Sequence, residues 1–246
     1  MRRPLLLSLA SLIALAGTAA IGYNVWTAIR YERLTDDYGP PLSAQAVELR
    51  RGVTEVVGAA GPAAVVVVTT PESFTPCDVP GSGSLYAWLI AYGDAGLYQR
   101  MAGVVEPGGK VDGPDLFVRR GSVTMHLREE APGEVDVMVD TRCGRADAGA
   151  AATTWLAAGA DGLAPVFDAL GATPYNGVRV SIGCAGGGEI VTSWAYGRGS
   201  ASTSAALPGD VVLDSPSTLV RRDGDTATVV RRGSGPLVRV GISRGC

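Results

Sequence analysis

The single histidine of the chain, His126, sets the first limit on its chemistry. A Ser-His-Asp set would have to be built around it, and a metal site with two or more histidine ligands cannot be made within one chain. If the surrounding segment is a strand, His126 shares a side with Thr124 and Arg128, while Met125 and Leu127 point the other way. That is the polar side of a half-buried strand, so the imidazole is expected to be solvated rather than catalytic. Serine chemistry has no better start. No G-x-S-x-G occurs, and the only lysine, Lys110, has Pro107 three residues before it, so S-x-x-K is absent. Gly186-Gly187-Gly188 and Pro80-Gly81-Ser82-Gly83-Ser84 run into neither G-K-[ST] nor a helix start, and they read as turns between strands. Asp223-Gly224-Asp225 begins like a calcium loop but lacks the later ligands and closing glutamate, so it reads as a hairpin turn. The sequence shows no catalytic motif and implies no cofactor.

The remaining candidates are charged. Glu129, Glu130, Glu134, Asp136 and Asp140 lie close together, and a carboxylate pair at the right separation hydrolyses glycosidic bonds. The simpler expectation is a solvated strand face with cross-strand partners in Arg119, Arg120 and Arg128. Farther on, Arg221, Arg222, Arg231, Arg232 and Arg239 gather in one hairpin region. Guanidinium forks suit phosphate and carboxylate, so these five form the candidate site for an anionic envelope polymer, lipid headgroups or an acidic protein partner, including an acidic hairpin of the same chain.

Positioning these groups begins at the amino terminus. Arg2 and Arg3 precede an apolar run from Leu5 to Ile29, long enough to cross a bilayer as one helix. The arginines favour a cytoplasmic amino terminus, and Tyr23, Trp26 and Tyr31 suit the outer interface. Residues 1–30 are therefore expected to be a signal-anchor transmembrane helix, with a linker at 31–43 and everything beyond extracytoplasmic. A cleaved signal peptide is the competing reading, because Ala14 and Ala16, or Thr18 and Ala20, offer small residues at cleavage spacing.

Comparison of the chain with itself organises the rest. Leu116 to Cys143 resembles Ser217 to Cys246 in kind: Val135-x-Val137-x-Val139 answers Val238-x-Val240-x-Ile242, and Val118-Arg119-Arg120 answers Val220-Arg221-Arg222. Upstream, Tyr92 answers Tyr196 and Cys77 answers Cys184. Such a drifting offset suits a duplicated unit with loop insertions, and predicts repeats at 44–148 and 149–246. Each repeat opens with a helical spacing. Ala46, Leu49, Val53, Val56, Val57 and Ala60 follow Ser43, a candidate cap, and Leu163, Val166, Phe167 and Leu170 follow Asp161. Strands are then expected at 63–70, 86–92, 117–128 and 134–141, and at 178–184, 190–196, 218–231 and 237–243. The fold class that follows is α+β: one helix on a four-stranded antiparallel sheet, twice, behind the transmembrane helix.

The duplication also selects among the three connectivities of the four cysteines. Equivalent pairs are Cys77 with Cys143 and Cys184 with Cys246, and no C-x-x-C suggests a metal instead. Charge excludes a basic nucleic-acid binder, since the chain of 246 residues carries a net charge of -3. That total divides unequally, with nine basic and 14 acidic residues in 44–148 against eight and seven in 149–246. These features together predict a membrane-anchored extracytoplasmic binding or scaffold protein of the bacterial envelope. The alternative is an extracytoplasmic hydrolase that uses carboxylates on cell-wall material.

Overall fold

In the computed structural model, residues 39–78, 81–107, 113–145, 147, 163–198, 207–232 and 237–244 are described, the last stretch mainly as backbone. They form a mostly β protein with two six-stranded antiparallel sheets.

Helix α1, Leu42–Ala60, buries Leu42, Ala46, Leu49, Val53 and Val56, the stripe that spacing of three and four residues dictates. Gly61 and Pro62 stop it, Gly61 at φ 79°. Ser43 does not cap it. Pro41 holds that position, and Ser43 lies inside the first turn, where its backbone N–H donates to Asp147 Oδ1 at 3.1 Å and its hydroxyl to Asp147 Oδ2. A distant carboxylate thus supplies the negative charge that a helix amino terminus favours.

The first sheet comprises β1 (Val65–Pro76), β2 (Ser82–Tyr92), β3 (Asp115–Arg120), β4 (Val123–Ala131), β5 (Glu134–Thr141) and β6 (Gly144–Arg145), in the order β1-β2-β5-β4-β3 with β6 beside β2. Between β2 and β3 a second helix, α2 (Leu97–Val105), packs on α1 and on β4 and β5. The second half has a six-residue helix, α3 (Ala164–Ala169), then β7 (Thr173–Gly183), β8 (Glu189–Arg198), β9 (Asp210–Asp214), β10 (Thr218–Asp223), β11 (Thr226–Arg232) and β12 (Leu237–Arg244), in the order β7-β8-β12-β11-β10-β9. Setting β1, β2, β3, β4 and β5 against β7, β8, β10, β11 and β12 gives the same strand order in both sheets.

This corrects the expected one-helix, four-stranded α+β unit. Each predicted long strand, at 117–128 and 218–231, is a hairpin whose two-residue turns are Gly121-Ser122 and Gly224-Asp225, with both glycines at positive φ. Matching the two turns shifts the sequence pairing by one residue: Gly121 answers Gly224, so Arg119 answers Arg222. Helix α2 adds to the first half, and α3 is little more than a turn. The expected transmembrane helix at 1–30 lies outside the described residues, and among those no helix is long and apolar enough to cross a membrane.

Cys77 and Cys143 are disulfide-bonded, with Cα atoms 6.2 Å apart, closing the expected 66-residue loop. Cys184 is also disulfide-bonded, while its expected partner Cys246 lies outside the described residues.

The two halves share a core. Val180, Ile182, Ile190, Trp194, Val220 and Val229 of the second sheet join the apolar cluster that α1 and α2 form with the first. The contact centres on β1, the outer strand of the first sheet. There Val68 N–H donates to Thr192 Oγ1 at 2.9 Å, and Trp194 Nε1 donates to Val68 O at 2.8 Å. Trp194 is cross-strand from Gly241, and a Cβ at that glycine would stand 2.6 Å from the indole ring, so the close approach requires glycine. The opposite face of the second sheet packs Leu219, Val230 and Ala195 against Phe167 of α3. The second sheet is therefore covered on both sides over its centre.

Candidate functional site

One face of the first sheet is different. Alternation in β2, β4 and β5 sends Leu85, Ala87, Leu89, Met125, Leu127, Val135, Val137 and Val139 into the core beneath the helices. The residues between them point the other way. Register aligns them into rows across β2, β5, β4 and β3: Tyr86, Asp140, Thr124 and Arg119, then Trp88, Met138, His126 and Phe117, then Ile90, Asp136, Arg128 and Asp115. Ile90 is buried, but Trp88 is 43% exposed and Phe117 65%.

The middle row is apolar and aromatic. Phe117 and His126 stack with centroids 3.9 Å apart and planes 7° from parallel. His126 Nε2 lies 3.0 Å from Asp115 Oδ1, so the imidazole is fixed from two directions. The flanking rows carry charges of both signs. Arg128 meets Glu130 at 3.0 Å and lies 3.9 Å from Asp115. Burial is the first cause that pushes the Asp136 carboxyl above the ordinary carboxylate range, and Glu130 adds to it, while Arg231 and Arg128 oppose. Burial also raises Asp140, against the Thr124 hydrogen bond and the Arg119 charge.

Asp136 and Asp140 are the two acids of this face whose charged form the fold disfavours. They are four residues apart on a strand of unbroken register, so their Cα atoms are about 13 Å apart. A carboxylate pair acting on a glycosidic bond stands roughly 5 to 9 Å apart. Among the described residues no group of three or more His, Cys, Asp and Glu side chains is placed to hold a metal ion.

Four of the five basic residues singled out from sequence are occupied by internal partners. Arg221 Nη1 donates to Gly209 O at 2.9 Å, and both terminal nitrogens of Arg222 donate to the first half, at Pro62 O and Ala64 O. Arg231 Nη2 meets Glu134 Oε1 at 2.8 Å, and Arg232 Nη1 donates to Ser215 O at 2.7 Å with Asp214 3.4 Å from Nη2. The Arg239 side chain lies outside the described residues. Arg222 and Arg231 thus tie one half to the other, and Glu134, expected on a solvated face, is buried beneath the second half.

Sequence reasoning names Asp136, Asp140 and His126 of the open face but not Asp115, Trp88, Phe117 or Tyr86. The available signal was parity: Tyr86 and Trp88 fall between Leu85, Ala87 and Leu89, on the polar side of a strand. Comparison with known proteins adds no family, since no family model, no curated protein and no solved structure matches the chain.

Proposed function

We propose that this is an exported envelope protein that binds its ligand without transforming it, and that the open face of the first sheet is the binding surface. The observation that carries the reading is the row of Trp88, Met138, His126 and Phe117, which no described element covers and which ends on two exposed rings, in a molecule whose second sheet is covered on both sides of its centre. Exposed aromatic groups on an otherwise polar face are the usual anchors of a recognition surface. The disulfide bonds at Cys77–Cys143 and at Cys184 support an oxidising compartment. Asp136 and Asp140 stand too far apart to act together as a glycosidase pair.

The test is photocrosslinking from the full chain in its native cells. Benzoylphenylalanine at position 88 is expected to give an adduct with an extracytoplasmic envelope component, while the same group at position 104, exposed on α2, gives none. Absence of an adduct from position 88, or the same adduct from both positions, would overturn the proposal.

A further inference from the structure

The ligand class can be taken further, resting on the reading that the open face binds. We infer that this face recognises a neutral polysaccharide strand, laid across the sheet along the row from Trp88 to Phe117.

Three observations converge. First, the row crosses four neighbouring strands, so its ends are about 14 Å apart, and it ends on two exposed aromatic rings. One face of Phe117 rests on His126, and its other side is open. A pyranose ring offers an apolar C–H face to such a surface and a rim of hydroxyls around it.

Second, apart from the buried Ile90, the groups beside the row are hydrogen-bonding side chains on both flanks. Tyr86, Asp140, Thr124 and Arg119 line one side, and Asp136, Arg128 and Asp115 the other. Carboxylates accept from hydroxyls and guanidinium groups donate to them, so a polyol finds both kinds of partner along each edge.

Third, the charges are interleaved. Arg119 shares a row with Asp140, and Arg128 stands between Asp136 and Asp115. A polyanion would meet carboxylates on both flanks, and a polycation would meet a guanidinium on each and find Glu130 and Asp115 already engaged by Arg128 and His126, so complementarity favours a ligand without net charge. The surface is an open sheet with no deep enclosure required, which suits a chain that continues past both ends of the row.

Affinity gel electrophoresis of the full-length protein, with laminarin, xylan, galactomannan or arabinan cast in the gel, tests this. At least one of these neutral polysaccharides is expected to retard the protein. Trp88→Ala and Phe117→Ala, each checked for native circular dichroism, are expected to weaken the retardation tenfold or more, and Asp140→Asn several-fold. Val104→Ala, away from the face, leaves it unchanged. Retardation by none of the four, or retardation indifferent to Trp88→Ala and Phe117→Ala, would overturn the inference, as would capture by polylysine or by heparin alone. A position-88 adduct that lacks carbohydrate would leave the face a binding surface and overturn the ligand class alone. Loss of the adduct itself is the separate failure of the parent reading.

Discussion

Glu134 of the first sheet and Arg231 of the second meet at 2.8 Å, with the carboxylate side chain only 4% exposed. Its second oxygen accepts from Thr218 Oγ1 at 3.1 Å. A carboxylate this deep is tolerated because both oxygens are engaged, and removing one partner leaves a desolvated charge. Arg231→Ala is therefore expected to lower unfolding stability by about 3 kcal/mol, read from the urea midpoint at constant slope. The pair Glu134→Leu with Arg231→Leu should recover most of that loss. A single variant indistinguishable from the parent would refute the strut.

A neutral counterpart of that strut lies at Val68. Its N–H and C=O point away from the first sheet and are met by Thr192 and Trp194. Thr192→Val keeps the shape but leaves the Val68 N–H buried without an acceptor, which costs about 1 to 3 kcal/mol. Thr192→Ser restores the acceptor and should return most of the stability. Loss in Thr192→Ser with none in Thr192→Val would show that the methyl group, not the hydrogen bond, is what matters there.

The bond between Cys77 and Cys143 closes 66 residues of chain. By loop-closure entropy its removal costs about 4 kcal/mol. Replacing both cysteines with serine should shift the denaturation midpoint accordingly, and full reduction of the parent, which also opens the bond at Cys184, should shift it further. A variant that unfolds with the parent would show that folded-state strain or a structured unfolded state offsets the closure entropy.

Titration of Asp136 and Asp140 runs opposite to the usual surface carboxylate. Their carboxyls titrate above the ordinary range, so the folded chain holds these protons more tightly than the unfolded one. The stability they contribute is present below the ordinary carboxylate value and is lost as pH rises through their raised values. Asp136→Asn and Asp140→Asn should each raise the melting temperature at neutral pH, with the gain shrinking as pH falls into the ordinary carboxylate range. A gain that persists undiminished in acid would show that ionisation is not its source. That the chain carries both acids in a form costly to the fold is what a surface kept for recognition would show.

The parts of this molecule legible in its sequence are those governed by local periodicity. Helix α1 declares itself through Leu49, Val53 and Val56, and β5 through the alternation of Val135, Val137 and Val139 with acids. The hairpins at Gly121-Ser122 and Gly224-Asp225 each read as a single strand in the sequence because the apolar alternation continues past both turns. Helix α2 falls on only nine residues without a side-chain cap, too short for periodicity to mark it. Burial of Glu134 and the engagement of Arg222 and Arg231 depend on how the halves dock, and no local pattern carries that information. Trp88 and Phe117 were legible by parity, yet their alignment in one row needed the register of four strands.

Among the described residues, the outer edge of β1 meets the Thr192 and Trp194 side chains of the second half and pairs with no further strand. A six-stranded sheet stripped of that cover would show an unpaired strand margin beside the apolar stripe of Val66 and Val68, the template on which a neighbouring copy could add itself. Dividing the chain between residues 147 and 163 should therefore yield fragments that polymerise or precipitate, even though each keeps the same strand order. Fragments that stay soluble and monomeric would show that the second half is not needed to guard the first against self-association.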